Sequence, residues 1–550
     1  MRSMERYAAL ITLMAAAGAV LGQDQPETKP ETEEPAAPPI RWNSFSIGYG
    51  NWDISRNRGK VFQYAHPRQG FDLREFQGLL PGDGVRSPWG KLSLHGTWES
   101  DNIQRGTLIF GNGRARLDFG FDRSEFYDPT PLPVDASHER NADVRVSYRP
   151  ADHWGLFAVY KDKTQEKHYA APKPRTATLA RTVAVGLEGD LGPGHGGVTY
   201  SETKHHDRSG LRAGSTQRRI DLFYGWQANE KLNLEGVFSN VRIQQRGLRD
   251  SNVRSWGVHA DWDFTPMTSL AFDFRRQDLS MPNVENAYVR KRWTTGLRLD
   301  HRFSSKANAT LGFEHREAER VRADQTFVDV PKWNTWNGRL SGRLNDSLRY
   351  SVRGKWEHLQ RAPVMVDIDP RSLYWDDRIL LDARLDYHWD RLNAYASYGY
   401  RFLQNSPRNV EVTSNHLALG AGYVFTDRTQ GYLEISNDTY RSTGVRDGDG
   451  YDLDWFFPSQ TTYALGVNHQ FSPATSLTVA VSHSVTNNDN PLLLPGGNYR
   501  HTELTATVRH RLNDHYSLEL VVAPWTLRDR VNDAYGYRAT MIGLNWSMKF

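Results

Sequence analysis

The last ten residues read MIGLNWSMKF. Ile542, Leu544, Trp546, Met548 and Phe550 alternate with Gly543, Asn545, Ser547 and Lys549. A period of two puts each set on its own face of a β-strand, one apolar and one polar. The same alternation fills the chain from Trp42 onward, in units of about ten residues separated by turn signals. Tyr463, Leu465, Val467 and Phe471 lead through SPATS into Leu477, Val479, Val481 and Val485. Leu504, Ala506, Val508 and Leu512 lead through Asn513–Asp514 into Leu518, Leu520 and Val522. Val258, Ala260, Trp262 and Phe264 lead through Thr265–Pro266 into Leu270, Phe272 and Phe274, and Ile379, Leu381, Ala383, Leu385 and Tyr387 lead into Trp389–Asp390–Arg391.

Tight turns are expected near Ala151, Pro193, Ala228, Pro266, Ser305, Asn345, Asp390, Asp427, Pro473 and Asn513. They recur roughly every 35–46 residues, one hairpin plus one longer connection. The other connections are long and polar, such as YDPTPLPVDASHER and RSTGVRDGDGYDLDWFFPS. Short turns on one side and long loops on the other are the pattern of an outer-membrane barrel. A propeller would place four strands in each such repeat, and a solenoid would have shorter strands without the turn asymmetry.

Composition agrees once the period is known. Hydrophobic residues make up 38% of the 550 residues, and mean hydropathy is −0.67. No segment past the N-terminal leader offers the ~20 consecutive apolar residues of a spanning helix. A strand with lipid on one face and water on the other needs only alternate apolar residues, so low hydropathy is compatible with a membrane wall. Aromatics reach 12%, with 17 Trp and 25 Tyr. The 68 basic residues nearly balance the 64 acidic ones, which argues against nucleic acid as a partner. Cysteine is absent, which excludes disulfides, zinc–thiolate sites and covalently attached haem on this chain.

The expected organisation has three parts. Residues 1–22 read as a signal peptide, with Arg2 and Arg6 before an apolar run from Tyr7 to Leu21. Residues 23–41, rich in Pro, Glu and Thr, read as a disordered periplasmic leader with nothing to build a plug from. Residues 42–550 read as an all-β, antiparallel, up-and-down transmembrane barrel of about 26 strands with no plug domain. The backbone circle would be roughly 50 Å across. The closing strand must pair with the first, because an open edge in lipid leaves N–H and C=O groups unpaired. Ile542, Leu544, Trp546, Met548 and Phe550 are expected to form the assembly signal read by the barrel assembly machinery, with lipid of the outer membrane around the barrel.

Strand parity sends His259, Asp261, Asp263, Asp273 and Arg275 to the lumen, with Arg298, Asp300, Arg302, Asp382, Arg384 and Asp386. A solvated wall with cross-strand ion pairs is one reading, and a mixed-charge socket for a protein is the other. The best ion candidate is RDGDGYDLD, where Asp447, Asp449, Asp452 and Asp454 could offer oxygens to calcium. It lacks the full twelve-residue loop with a terminal Glu, and an ordinary acidic surface loop is the competing reading. His205–His206 reads as part of a loop. No Ser/His/Asp arrangement points to a hydrolase, so no enzyme is expected.

The segment RGKVFQYAHPRQGFDLREF, through Lys60, Phe62, Tyr64, Gly70 and Leu73, resembles the first-strand region of the MtrB/PioB family of porin–cytochrome conduit barrels. The N-terminal C-x-x-C of some members is missing. The resemblance implies a sheath around a periplasmic multihaem c-type cytochrome, with electrons crossing the outer membrane on the partner's haems and no cofactor on this chain. The alternative is a wide solute porin constricted by inward-folded loops.

Overall fold

The computed structural model describes residues 41–56, 61, 70–80, 89–96, 104–127, 136–168, 176–210, 213–283, 288–322, 327–361, 375–406, 410–443, 459–487 and 498–549. They form 27 strands, numbered β1–β27 in chain order, in a single sheet. One strand, β16 (Phe327–Asp329), is a three-residue spur paired only to the end of β15 (Ala307–Val321). β15 pairs directly with β17 (Lys332–Arg343), so 27 less this spur leaves 26 strands in the wall.

Each wall strand runs antiparallel to its chain neighbours. β1 (Arg41–Arg56) meets β27 (Tyr537–Lys549) in an unbroken register from Ser44↔Lys549 to Arg56↔Tyr537, which closes the barrel. Closure removes the edge that a membrane cannot solvate.

The expected hairpins are all present, among them Thr265–Thr268, Trp389–Leu392 and Ser472–Thr475. Their first residues explain why they turn there. Asn513 Oδ1 accepts from the backbone N–H groups of His515 and Tyr516, at 2.8 and 2.9 Å. Ser472 Oγ does the same for Ala474 and Thr475. Asn112 serves Arg114 and Ala115 between β4 (Gln104–Gly111) and β5 (Ala115–Tyr127), the hairpin that the Asn–Gly pair implies. A side-chain oxygen thus satisfies donors that the ladder cannot reach. Asp390 adopts φ 46°, the left-handed region that Asp tolerates in a two-residue turn.

The two faces of the wall differ as the alternation implies. Val183, Leu311 and Leu465 lie half-exposed or more on one face, at 54%, 54% and 50%. Leu433, Ile542 and Leu544 extend the same apolar surface. A patch this extensive is not left to water by a stable monomer. The opposite face carries the charges and hydroxyls.

One stretch of that opposite face breaks the rule. Trp52, Val521, Ala523, Leu527, Tyr537, Ala539 and Met541 pack into an apolar cluster, each at most 4% exposed. The register puts them on the same face as Ser46, Glu519, Asn545 and Ser547. Val61, which lies between β1 and β2 (Gly70–Leu80), is fully buried in this cluster. The polar face is therefore not bare wall throughout.

Candidate functional site

The charged residues singled out by parity do share a face. β12 (Ser251–Thr265) and β13 (Thr268–Ser280) pair His259 with Asp273 and Asp263 with Ser269, which aligns their odd positions. His259 is held from two sides. Its Nδ1 lies 2.9 Å from Asp273 Oδ1 and its Nε2 lies 2.6 Å from Asp261 Oδ2. With both ring nitrogens engaged by carboxylates, the imidazole is a bridging group rather than a free ligand. Arg275 lies 3.9 Å from Asp273 with its side chain 78% exposed.

On β14 (Tyr288–Ser304), Arg298 Nε donates to Asp300 at 2.8 Å, and Thr310 of β15 donates to the same carboxylate. On β19 (Asp377–Trp389), Arg384 pairs with Asp386 at 2.8 Å. Asp382 accepts from Arg353 of β18 (Leu348–Arg361) at 2.8 Å. Asp263 and Arg302 make no side-chain hydrogen bond or ion pair among the described residues. These are exposed pairs in high dielectric, and each contributes little stability. What they do is set the sign of the surface from place to place.

A second charged cluster has no signature in the chain. Glu357, 5% exposed, receives Arg316, Lys355 and Arg378, with Thr335 Oγ1 donating to it at 3.3 Å. These groups come from β15, β17, β18 and β19, and only cross-strand register brings them together. A carboxylate buried this deeply is costly unless donors and cations surround it.

Ile542 and Leu544 stand on the apolar face at 49% and 48% exposure. Trp546 stacks on Tyr516 with ring centroids 5.8 Å apart and planes at 9°, and Met548 is in register with Phe45 and Tyr516. Phe550 lies outside the described residues, as do Asp447, Asp449, Asp452 and Asp454, and Lys60, Phe62 and Tyr64 of the first-strand resemblance. Among the described residues no group of three or more His, Asp or Glu could hold a metal ion. His205 and His206 belong to β9 (Gly194–Asp207), not to a loop as expected, because the ladder to the neighbouring strand continues through them to Asp207. Beyond the strand ends, Asp250 is held below the usual carboxylate range by a hydrogen bond from Arg242 and another from Gln244.

No family model and no curated protein matches the sequence. Solved barrels do match. The FrpB iron transporter from Neisseria meningitidis (F5-1 variant) is 10% identical with a TM-score of 0.49, over 92% of this chain and 82% of that one. The copper transporter OprC is 12% identical at 0.48, over 92% and 80%. The siderophore receptor PirA from Acinetobacter baumannii is 10% identical at 0.48, over 94% and 81%. At this identity the likeness is one of fold.

The expected resemblance to the MtrB/PioB conduit barrels is not borne out, since the barrels found similar are metal and siderophore transporters and receptors. The cytochrome sheath, its multihaem partner and the alternative of a wide diffusion porin are corrected on the same finding. Architecture misled here because strand number and turn asymmetry are common to barrels of many functions. The chain is an outer-membrane-type β-barrel of 26 wall strands, and its place is the bacterial outer membrane.

Proposed function

We propose that this barrel is a selective transporter for a hydrophilic solute, with the polar face lining the lumen and transport rather than catalysis as its task. One observation supports the reading above others. On the polar face, Trp52, Leu527, Tyr537 and Met541 are almost wholly buried around Val61. A lone wall facing open water cannot bury side chains to this degree, so part of the lumen is filled. A filled lumen with charged walls passes solutes by contact with the wall, not by free diffusion through a wide hole.

The conductance of the purified barrel in planar bilayers tests this. The expected result is a small conductance in wild type, far below that of a water-filled circle roughly 50 Å across. A steady conductance of the size that such an open circle gives would refute a filled lumen.

The proposed topology places residues 1–22 as the signal peptide, 23–41 as a periplasmic leader, and the short turns with the end of β27 on the periplasmic side. The native chain has no Cys, so single cysteines report it cleanly. Leu248, exposed between β11 (Leu232–Gln245) and β12, should be labelled as Leu248→Cys by an impermeant maleimide on intact cells. Asp514→Cys, between β25 (Tyr499–Arg511) and β26 (Tyr516–Asp529), should label only after the outer membrane is opened. The reverse pattern would turn the barrel over.

A further inference from the structure

We propose that the polar face of β17 and β18 is a binding track for oxyanions, the phosphate or carboxylate groups of the transported solute. The inference rests on that face lining the lumen. Two registered pairs set like charges directly opposite one another, Arg339 against Arg353 and Arg343 against Arg349. Both pairs lie on one face, because directly opposed residues of an antiparallel ladder share it. Opposed like charges on one face destabilise a sheet.

Carboxylates relieve them only in part: Arg349 stands opposite Asp386, which Arg384 already engages. Arg353 has Asp382, at 2.8 Å. Arg339, Arg343 and Arg349 make no side-chain hydrogen bond or ion pair among the described residues, and Arg302 on nearby β14 is in the same state. All four are exposed. Elsewhere on this face the balance is opposite, with His259 held between two aspartates. The excess of guanidinium is therefore local.

Spacing makes it a track. Along β18, Arg349, Arg353 and Lys355 fall on the same face, with Ser351 between the first two. Same-face positions recur about every 7 Å along a strand, so this column extends over roughly 20 Å. It starts at the short turn and leads toward Glu357, where cations again surround a carboxylate. Guanidinium groups bind oxyanions through paired N–H donors, which an ammonium cannot match. Rows of Arg and Lys are how pore walls select anions. Lipid phosphate is not the ligand, because the apolar residues Leu340 and Val352 occupy the opposite, outward face of the same two strands.

Calorimetry on the folded, full-length barrel in detergent tests the inference, with inorganic tripolyphosphate and citrate as separate probes. Binding of at least one is expected at low salt, weakening steeply as salt is raised. The double variant R339Q/R343Q should weaken it at least tenfold. K161Q, on β7 (Trp154–His168), should change it less than twofold. The arginine variant should stay folded, as judged by heat-modifiable migration, because it removes like-charge pairs; R339K/R343K, which keeps the charge and loses the fork, provides an intermediate loss if it does not. Which probe binds distinguishes phosphate from carboxylate ligands. No binding of either probe, or equal weakening by K161Q and R339Q/R343Q, would overturn the track. Binding is read here without passage, so an open-pore conductance would sink the transporter reading while leaving this result to stand or fall separately.

Discussion

Tyr49→Pro should abolish the folded, heat-modifiable form of the barrel. Tyr49 sits in the middle of β1, opposite Leu544 of β27 on one side and Phe71 of β2 on the other. Proline has no N–H to give the ladder, and within a sheet it is confined to edge strands, strand starts and bulges or breaks in pairing. In water the loss would be about 3 kcal/mol or more. In lipid the orphaned carbonyl opposite costs several kcal/mol in addition, because no water can replace the missing donor. The closing pair of a barrel has no alternative partner, so failure there is failure of the whole sheet. Tyr49→Phe, which keeps the ladder, should give wild-type yield. Gel migration of unheated outer-membrane samples reads both, and a normal amount of folded Tyr49→Pro would show that β1 and β27 are not the seam.

Trp52→Ala should destabilise the barrel by about 3–5 kcal/mol, the usual cost of emptying a large buried aromatic site. Trp52 is 4% exposed and lies edge-on to Trp525, with ring centroids 5.2 Å apart and planes at 71°. Exposed wall residues elsewhere on the polar face have water beside them, and there truncation costs little. The contrast supplies the test. Ser44→Ala, eight residues away on the same face of β1 and partly exposed, should shift the urea midpoint only slightly. Trp52→Ala should shift it substantially and should also raise the bilayer conductance, as packing inside the lumen loosens. Equal, small shifts for both variants would mean that nothing packs against this seam.

Much of this architecture is readable from the chain because barrel strands obey a rule with a period of two. The hairpins at Pro266, Pro473 and Asn513, the separation of His259 from Val258, and the pairing of an apolar β27 face with lipid all follow from it. The rule also leaves a trace where it fails. In β27, Ile542, Leu544 and Trp546 are apolar on one face, but Tyr537, Ala539 and Met541 are apolar on the other. That doubled hydrophobicity marks contact on both sides, and it was the available signal for the buried cluster around Val61. His205 and His206 were misplaced for a simpler reason: polar residues at a strand end look like the loop that follows.

By itself the sequence determined the class of fold, the approximate number of strands, the sidedness of turns and the parity of each charged residue, because all of these depend on near neighbours in the chain. The tertiary structure alone decided which residues meet across strands. Glu357 finds Arg316, Thr335 and Arg378 on three other strands, and Arg339 faces Arg353 only through the β17–β18 register. Register follows from turn geometry summed around a closed ring, and closure links residues 44 and 549 at opposite ends of the chain. A local pattern cannot encode that sum, so the charge pattern of the wall and the filled seam beside β1 emerge only once the barrel is shut.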